Sequence, residues 1–277
     1  MTNTSQRAFW SGHGGEHWVK KKETMDNMLD PFGRAAMDCL SLSGSVDVLD
    51  VGCGSGATTF QIARQVSDDS SVTGVDFSRP LLERAASLNT FSNVRFVEDD
   101  VQILSLTQAS FSHVFSRFGV MFFDDPSAAF RSIHSVLAPQ GTLGFVCWQT
   151  AQQNLWQTLI MKEIKRHIDL PTPDPKAPGP FAFGEKEYVV SLLKNARFQS
   201  VHIAPYERPV TIFKGYTPKD AVEEMLNLNP ALQFLKEEPH TTQLMIRAQL
   251  ETAYSDYQND IGFEFPSAAW VVQAQKS

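Results

Sequence analysis

The sequence is poor in cysteine, and neither its cysteines nor its histidines are spaced for a metal or a redox pair. Cys39, Cys53 and Cys147 form no C-x-x-C motif, and the seven histidines show neither a metal-ligand nor a catalytic-triad spacing. No metal is therefore predicted. An odd and sparse set of cysteines is typical of a reducing compartment, so we expect a cytoplasmic protein.

The chain also lacks a long apolar run and an excess of basic charge. Residues 1–20 have no basic start followed by an apolar stretch, so no signal peptide is expected. The most apolar segment, residues 111–123, is interrupted by His113 and Arg117 and is too short to span a bilayer. The formal net charge is −7, whereas proteins that rely on phosphate contacts are usually basic. We therefore expect neither a membrane partner nor a nucleic-acid partner, and the oligomeric state stays open.

The sequence does contain a core-forming composition and a glycine-rich turn. Hydrophobic residues make up 42% of the 277 positions and charged residues 20%, which is typical of a globular chain. The turn lies in Leu49–Gly56, after an apolar, β-branched run that predicts a buried strand. The next segment, Ala57–Val66, has an apolar face that predicts a helix. Glycines allow a close approach of backbone to ligand, and a helix N-terminus presents free N–H groups.

Two cofactors compete for this turn. Gly52, Gly54 and Ala57 fit the G-x-G-x-x-A fingerprint of dinucleotide-binding folds. Asp50 opposes that interpretation because its carboxylate would face the pyrophosphate, whereas it would favour a ligand with a cationic amino-acid end. S-adenosylmethionine carries an ammonium and a sulfonium and no phosphate, so charge favours it over NAD. The remaining alternative is a glycine turn without a ligand.

A carboxylate stands at the end of the second predicted strand, Ser71–Asp76. Asp76 follows the glycine turn by about twenty residues, where nucleoside-binding α/β folds use a carboxylate to accept the ribose hydroxyls. Phe77 would cover one face of the adenine. The same geometry would serve NAD, so Asp76 indicates a nucleoside cofactor without choosing between the two.

The stretch Leu49–Gly56 resembles the first motif of the class I S-adenosylmethionine-dependent methyltransferases. The turn Pro139-Gln140-Gly141 before an apolar strand resembles the Pro-Gly-Gly turn of that family, with a glutamine in place of one glycine. Residues 116–123 and 145–148 are most similar to a bacterial small-molecule branch. This branch, the methyltransferase type 11-like proteins, is related to the ubiquinone and menaquinone biosynthesis methyltransferases. The resemblance is closest over residues 46–148.

The resemblance implies S-adenosylmethionine as the cofactor and a set of residues around it. An acidic residue after the third strand accepts the adenine amino group. That role falls on Asp100, with the amide of Val101 reaching a ring nitrogen, Asp99 as the competing choice and an ordinary polar loop as the alternative. At the end of the fourth strand, backbone groups face the methionine ammonium. The expected cofactor-binding residues are Trp10, Trp18, Asp50, Gly52, Cys53, Gly54, Gly56, Asp76, Phe77, Asp100, Val101, Ser116 and Phe118.

Two tryptophans bracket a glycine-rich stretch near the amino terminus, which we predict to be a turn. Trp10 and Trp18 flank residues 12–15. One interpretation is aromatic anchoring of this segment on the core; the other, which the resemblance favours, is a flap over the cofactor. His13 lies in this flap and is the candidate general base for an oxygen or nitrogen acceptor. The alternative for His13 is a solvated loop histidine.

Candidate substrate residues follow the glycine turn and reach into the variable segments. The charge at the end of the fourth strand is expected to hold an acidic substrate group, or else to form a structural ion pair. Aromatic side chains suit an aromatic acceptor, although they serve equally to pack a lid. The candidates are Arg117, Trp148, Trp156, Phe181 and Phe183.

Prolines and glycines set three local expectations. Met25–Leu42 is expected to form one or two helices, broken near Asp30-Pro31. Residues 138–141 are expected to form a turn before a fifth strand at Thr142–Trp148. The five prolines of residues 171–180 predict a stiff, extended connector.

The predicted fold class is α/β. The alternation of strands and helices indicates a doubly wound, Rossmann-like sheet, and the resemblance implies seven mostly parallel strands with an antiparallel last strand. We expect a helical lid in residues 212–262, or else a packing appendage. The predicted division is an N-terminal helical segment and flap (1–45), a cofactor-binding core (46–150), a substrate-side connector with a further helix and strand (151–211), the lid insertion (212–262) and the last core strand (263–277).

The sequence thus predicts an S-adenosylmethionine-dependent methyltransferase. It would transfer a methyl group by in-line displacement to an oxygen, nitrogen or carbon atom of a small molecule, partly aromatic by the content of the variable segments. The alternatives are a nicotinamide-dependent oxidoreductase, which Asp50 disfavours, and a catalytically silent cofactor-binding module that acts through a partner.

Overall fold

The computed structural model describes residues 3–172, 174–229 and 231–277, apart from the side chains of Ser5, His13, Leu228 and Ala231. The chain divides into two compact units. The first consists of Met1–Gln149, Pro175–Tyr206 and Ala269–Ser277, and the second of Thr150–Asp174 and Glu207–Ala268. The predicted insertion at residues 212–262 lies within the second unit, which also takes in part of the predicted connector.

The secondary structure of the described residues alternates strand and helix through the first unit. The strands, in chain order, are β1 (Asp47–Val51), β2 (Ser71–Asp76), β3 (Val94–Glu98), β4 (Phe111–Arg117), β5 (Leu137–Trp148), β6 (Gln199–Glu207), β7 (Val210–Ile212), β8 (Phe263–Phe265) and β9 (Ala268–Gln275). The α-helices are α1 (Thr4–Ser11), α2 (His13–Lys20), α3 (Lys22–Met37), α4 (Ala57–Ala63), α5 (Arg79–Leu88), α6 (Pro126–Val136), α7 (Leu155–Ile164), α8 (Lys186–Asn195), α9 (Pro218–Leu228), α10 (Ala231–Glu237) and α11 (His240–Ser255).

Seven strands form one twisted sheet in the order β3-β2-β1-β4-β5-β9-β6. The pairs from β3 to β5 are parallel, and β9 runs antiparallel to β5. This is the mostly parallel sheet with an antiparallel last strand that the resemblance implied. The strand order reverses between β1 and β4, and in open α/β sheets ligands bind beyond the carboxyl ends of the strands at such a switch point.

The central strands are buried along nearly their whole length, as expected of a parallel sheet covered on both faces. In β1 the residues from Val48 to Val51 are all buried. Helix α4 packs on β1 and β2, and α3 packs on β4 and β5. The sheet is therefore a rigid base that fixes the position of every side chain at its carboxyl edge.

Two predictions from proline and glycine are wrong. Helix α3 runs unbroken through Pro31, because its apolar face, which includes the buried Phe32, packs on the sheet and offsets the lost hydrogen bond. Residues 138–141 belong to β5, whose pairing with β4 shifts register there. Gln140 takes the left-handed conformation (φ 65°) in that irregularity, so the expected turn is a distortion within a strand.

The predicted glycine-rich turn near the amino terminus is also wrong, since the segment forms the two short helices α1 and α2. Gly14 and Gly15 lie inside α2. A Cβ on Gly14 would overlap the Phe9 ring, and one on Gly15 would overlap the Trp10 carbonyl. The glycines thus serve close packing of the two helices rather than a reversal of the chain.

The second unit is mainly helical. Helix α11 packs on α9, and an ion pair between Arg247 and Glu223 joins them. Strands β7 and β8 form a two-stranded antiparallel sheet that was not predicted. Tyr254 of α11 is fully buried against Phe265 of this sheet, with ring centroids 5.4 Å apart. The helices α9 and α11 match the expected helical character of residues 212–262.

Among the described helices, none combines the length and the apolar content needed to cross a bilayer. Within the same residues there is also no group of three or more His, Cys, Asp or Glu side chains that could hold a metal ion.

Candidate active site

The glycine turn lies at the switch point of the sheet and leaves space above itself. Gly52, Gly54 and Gly56 all have positive φ (67°, 53° and 84°), a conformation that side chains disfavour. The N–H groups of Gly52 and Cys53 donate to the Val75 carbonyl at 2.8 and 3.1 Å, which fixes the turn to the end of β2. A Cβ built on Gly54 would meet nothing within 4 Å, so the turn borders open space.

Asp76 faces this space from the end of β2. Its Oδ2 accepts the N–H of Gly54 at 2.9 Å, and its Oδ1 accepts the N–H of Ser78 at 2.8 Å. Burial raises the pKa of Asp76, while these backbone donors oppose the rise. A carboxylate offers about four acceptor positions, so two remain for the two hydroxyls of a ribose. The glycine turn therefore orients the carboxylate that was predicted to bind the sugar.

The third strand is followed by two carboxylates with different tasks. Asp99 accepts the N–H and the hydroxyl of Ser105 through Oδ2, at 3.0 and 2.8 Å, and these two hydrogen bonds hold the loop. Asp100 is 5% exposed, and its Oδ1 accepts the N–H of Gln102 at the start of a short 3₁₀ turn that begins at Val101. The first N–H groups of such a turn have no partner inside it. This geometry favours Asp100 over Asp99 and suits Val101 as a donor.

Helix α1 covers the segment that follows β2. The Ser78 hydroxyl donates to the Trp10 carbonyl at 2.6 Å, and the Ser11 hydroxyl donates to the Phe77 carbonyl at 3.4 Å. The Arg7 guanidinium lies 5.9 Å from the centre of the Phe77 ring. Phe77 is therefore held between the sheet edge and the amino-terminal helix, at the place where an adenine was predicted.

Trp10 also reaches the segment that follows β4. Its ring lies 5.2 Å from that of Phe122 and 5.8 Å from that of Trp18, both in edge-to-face geometry. Trp10 thus links the ends of β2 and β4 across the switch point. This position fits both anchoring and a flap over the cofactor. The side chain of His13 lies outside the part of the chain that the structure describes, so its role as a base stays a prediction.

Asp50 has a structural task that sequence reasoning missed. Its Oδ2 accepts the hydroxyls of Thr58 and Thr59, each at 2.7 Å, and so ties β1 to the first turn of α4. Its Oδ1 is buried and has no partner. Burial raises the pKa of Asp50 to about 6, although the two hydroxyls and the charge of Arg117 oppose the rise. The two consecutive threonines that follow the glycine motif, Thr58 and Thr59, are the sequence signal from which this link could have been found.

The end of β4 is strained and tightly packed. The Ser116 hydroxyl donates to the Val51 carbonyl at 2.8 Å, which ties β4 to β1. Phe118 has a positive φ of 60°, and its N–H donates to the Val146 carbonyl at 3.0 Å. A non-glycine residue in this conformation is uncommon and is often found at binding sites. The amide of Phe118 is thus already engaged, while the predicted use of backbone groups here stays open.

Several predicted substrate residues make contacts within the protein. Arg117 forms an ion pair with Asp26 of α3 at 2.6 Å, as the structural alternative expects. Trp148 is 3% exposed and stacks on Phe118 at 4.2 Å. Phe183 is 1% exposed and packs in the core against Phe130 at 5.8 Å. This burial disfavours a direct contact of Trp148 and Phe183 with a substrate, and their substrate roles stay predictions.

Three further predicted residues have distinct environments. Cys53, which was predicted to bind the cofactor, is buried within the turn, and burial raises the pKa of its thiol well above the usual range; its cofactor role stays a prediction. Trp156 lies in the second unit with its indole N–H 3.3 Å from the Asn154 side-chain oxygen. Phe181 is half-buried near the end of the proline-rich segment. The substrate roles of Trp156 and Phe181 stay predictions.

A polar cavity of about 360 Å³ lies between α3 and α4, beside the predicted site. It is lined by Asp26, Asp30 and Gln61 among others. None of the residues predicted to bind cofactor or substrate lines it. The N-terminal half of α3 was expected only to pack on the core, so its polar face was not recognised.

The comparisons with known proteins agree with this geometry. Residues 48–141 match a family model described as a methyltransferase domain. An uncharacterised methyltransferase of Mycobacterium tuberculosis is 31% identical over 124 residues, which are 44% of this chain and 61% of that protein. The demethylmenaquinone methyltransferase of Staphylococcus aureus is 30% identical over 145 residues, which are 49% of this chain and 58% of that protein. The match thus spans about 60% of the length of these relatives.

Solved structures share the fold over most of the chain. A candidate methyltransferase from Bacillus halodurans superposes with a TM-score of 0.57 at 18% identity, covering 88% of this chain and 97% of that one. The [4+2]-cyclase SpnF superposes with a TM-score of 0.52 at 21% identity, covering 89% of this chain and 80% of that one. The predicted fold class is therefore confirmed, and it is shared by proteins with different chemistries.

Proposed function

We propose that this chain, whose residues 48–141 form a methyltransferase domain, transfers a methyl group from S-adenosylmethionine to a small-molecule acceptor. The observation that carries the proposal is the pairing of open space above Gly54 with two carboxylates, the half-buried Asp76 and the buried Asp100, at the ends of neighbouring strands. Asp50 precedes the first glycine of the turn by two residues, and its carboxylate disfavours a pyrophosphate there. The site thus suits a nucleoside without a pyrophosphate.

The cofactor supplies a methyl group on a sulfonium, which needs a nucleophile in line with the breaking bond. The chain contributes by holding and orienting. Asp76 accepts the ribose hydroxyls, Asp100 and the amide of Val101 bind the adenine edge, and Phe77 covers one adenine face. Such positioning can supply roughly 7–11 kcal/mol of the barrier. Trp10, between the ends of β2 and β4, excludes water from the site.

The acceptor is proposed to be a small molecule with aromatic character. Trp10, Trp18 and Phe122 form a half-buried aromatic cluster at the carboxyl edge of the sheet, and aromatic side chains line many small-molecule pockets. A relative from Staphylococcus aureus is a demethylmenaquinone methyltransferase, which supports an acceptor of this class. The acceptor atom is oxygen, nitrogen or carbon. His13 is proposed as the base where the acceptor must lose a proton, and full turnover in His13→Ala would reject that role.

The test begins with calorimetric titration of the whole chain with S-adenosylmethionine, S-adenosylhomocysteine and NAD. We expect saturable binding of the first two and none of NAD. Asp76→Ala should weaken binding at least tenfold, because hydrogen bonds to charged groups contribute about 1.5–3 kcal/mol each. Asp68→Ala, which removes an exposed carboxylate, is the matched control and should leave binding unchanged. Binding of NAD alone would reject the proposal.

A second candidate is a cofactor-binding module that transfers no methyl group. The structural similarity to a [4+2]-cyclase favours keeping it, because that cyclase has the same fold. Incubation with S-adenosylmethionine and a panel of quinols, phenols and amines, followed by mass spectrometry, separates the two. A product heavier by one methyl group establishes transfer. Tight cofactor binding without any such product across the panel favours the module.

A further inference from the structure

The polar cavity between α3 and α4 has no part in the proposed methyl transfer. Its volume of about 360 Å³ falls within the range of roughly 300–1,000 Å³ that is usual for small-molecule sites. All its lining residues belong to the first unit. It reaches the glycine turn only at Ala57, the residue after Gly56, and so offers a place for a second ligand.

Cationic side chains outnumber carboxylates in the lining of this cavity. The lining contains the cations Lys22, Arg34 and Arg64 and the carboxylates Asp26 and Asp30. The chain as a whole has a formal net charge of −7, so this excess of positive charge is a local feature. A concave site lined by one excess sign of charge attracts ligands of the opposite sign, which here means an anion.

The first carboxylate of the cavity is already paired through both of its oxygens. Asp26 accepts Lys22 Nζ on Oδ2 at 2.7 Å and Arg117 Nη2 on Oδ1 at 2.6 Å. Arg117 comes from β4 and does not line the cavity. Because two cations share this one carboxylate, Asp26 is more than neutralised and presents little repulsion to an anion.

The second carboxylate is also paired through both oxygens. Asp30 accepts Arg34 Nε on Oδ2 at 2.6 Å, and its Oδ1 accepts the side-chain amide of Gln61. The contact with Gln61 joins α3 to α4 and forms part of the cavity wall. Arg34 uses only one of its five N–H donors in this pair, so the remaining donors are available to a ligand.

Arg64 is the cation of the lining whose charge no carboxylate balances. In the part of the chain that the structure describes, it takes part in no ion pair. Its guanidinium carbon lies 5.5 Å from the centre of the Phe91 ring, and that ring stacks on Phe60 of α4 at 5.9 Å. A cation–π contact holds a guanidinium without using its hydrogen-bond donors. Arg64 is therefore positioned beside the cavity with its donors free.

A phosphate monoester is the ligand chemistry that fits this arrangement. A phosphate group carries about −1.5 to −2 charges at pH 7 and accepts through three oxygens, which suits three cations with spare donors. Guanidinium groups match phosphate in pairs of parallel hydrogen bonds. Ala57 and Phe60 add apolar surface to the lining, which suits a short carbon skeleton. S-adenosylmethionine has no phosphate, so the ligand differs from the cofactor.

We propose that the cavity between α3 and α4 is a second ligand site, which binds a small organic phosphate through Lys22, Arg34 and Arg64. This inference goes beyond the proposed function and does not depend on it. The phosphate binds alongside the cofactor and uses none of the residues that were predicted to hold the cofactor.

Calorimetric titration of the whole chain with monobutyl phosphate tests the ligand class. Inorganic phosphate and butanol are the matched probes, because each represents one half of that molecule. We expect saturable binding of monobutyl phosphate, at least fivefold weaker binding of inorganic phosphate and none of butanol. The affinity should fall as the salt concentration rises, since salt screens exposed charges. Absence of saturable binding of monobutyl phosphate, or equal affinity for inorganic phosphate, would overturn the proposal.

Substitutions in the lining locate the site. Arg64→Gln and Arg34→Gln should each weaken the binding of monobutyl phosphate at least threefold. Arg79→Gln is the matched control and should have no effect, because Arg79 forms an exposed ion pair with Glu83 four residues away, as Arg34 does with Asp30. Asp30→Asn removes a negative charge and should strengthen binding, a gain that misfolding cannot produce. Equal effects of Arg64→Gln and Arg79→Gln would contradict the proposed location.

A titration with saturating S-adenosylhomocysteine separates this site from the cofactor site. We expect monobutyl phosphate to bind with an unchanged dissociation constant in its presence, and likewise in Asp76→Ala. Displacement by S-adenosylhomocysteine would assign the cavity to the cofactor and overturn the inference. Binding of monobutyl phosphate by a wild-type protein that binds no S-adenosylhomocysteine would support the inference and reject the proposed function.

Discussion

Gly52 and Gly119 touch where the segments after β1 and β4 cross. A Cβ on Gly52 would lie 3.0 Å from the Cα of Gly119, and one on Gly119 would lie 3.1 Å from the Cα of Gly52 and 2.9 Å from the Val51 carbonyl oxygen. The two central strands therefore meet backbone to backbone at the floor of the site. This contact sets the width of the crevice at the switch point.

Substitution of Gly119 by alanine is expected to destabilise the first unit. Gly119 has an ordinary φ of −79°, so the effect is steric, and overpacking of this kind costs about 1–3 kcal/mol. Urea denaturation measures the change in the free energy of unfolding. Gly179→Ala is the control, because its Cβ would meet only the Ala177 carbonyl oxygen at 3.8 Å. Equal stability of the two variants would contradict the close approach.

Binding of S-adenosylhomocysteine is expected to depend on the ionisation of Asp50. The raised pKa of about 6 in the free protein means that the carboxyl group holds its proton in mildly acidic solution. A cationic ligand group favours the ionised form, so affinity should fall by up to tenfold per pH unit below about pH 6 and level off above it. Calorimetry between about pH 5 and 7.5, a range that spans the pKa of Asp50, measures the affinity for S-adenosylhomocysteine.

The groups near Asp50 are the hydroxyls of Thr58 and Thr59, the Arg117 guanidinium and Asp76. Burial raises the pKa of Asp76 as well. Asp50→Asn removes the titrating group and keeps an acceptor for the two hydroxyls. In this variant we expect the affinity for S-adenosylhomocysteine to depend much less on pH below about pH 6. An unchanged fall of affinity in acid would assign the pH dependence to Asp76 instead.

The sheet and the position of the glycine turn within it were largely predictable, because both follow from local patterns. The bounds of β2, Ser71–Asp76, agree with those expected from the sequence. Asp76 could be placed because a strand end and a glycine turn fix its position. A turn signal was not always sufficient, since the turns expected near the amino terminus and at residues 138–141 lie within a helix and a strand.

Tertiary packing decided the cases that were wrong. Pro31 lies inside a helix because the face around it is buried against the sheet, which no local signal reports. Phe183 is buried against Phe130 of α6, a contact between segments that are distant in the chain. The aromatic residues of a variable segment cannot be sorted into core and surface by their type alone.

Phe183→Ala is expected to lower the free energy of unfolding by about 3–5 kcal/mol, as for other large-to-small changes in a core. The ring packs against Phe130 and Tyr188 at 5.8 and 6.0 Å. Chemical denaturation measures the loss, and Leu88→Ala, at a position 37% exposed, is the control. A variant with wild-type stability but altered acceptor preference would instead support a contact of Phe183 with the substrate.

Trp10→Ala is expected to raise the dissociation rate of S-adenosylhomocysteine by tenfold or more, since it removes the indole ring whose contacts with Phe122 and Trp18 hold α1 across the switch point. Surface plasmon resonance measures the rate. Trp10→Phe retains an aromatic ring and should have a smaller effect, and Leu88→Ala, at a position 37% exposed, serves as the control. A lower free energy of unfolding with an unaltered dissociation rate would favour anchoring over a flap.

The link from Trp10 to Phe122 also bears on the order in which the protein assembles. During synthesis α1 leaves the ribosome before the segment after β4, so Trp10 cannot contact Phe122 until that segment has been made. The contact between residues so distant in the chain carries a high closure entropy and belongs to the late steps of folding. The predicted cofactor site is therefore completed late in folding, by a helix that precedes the whole sheet in the chain.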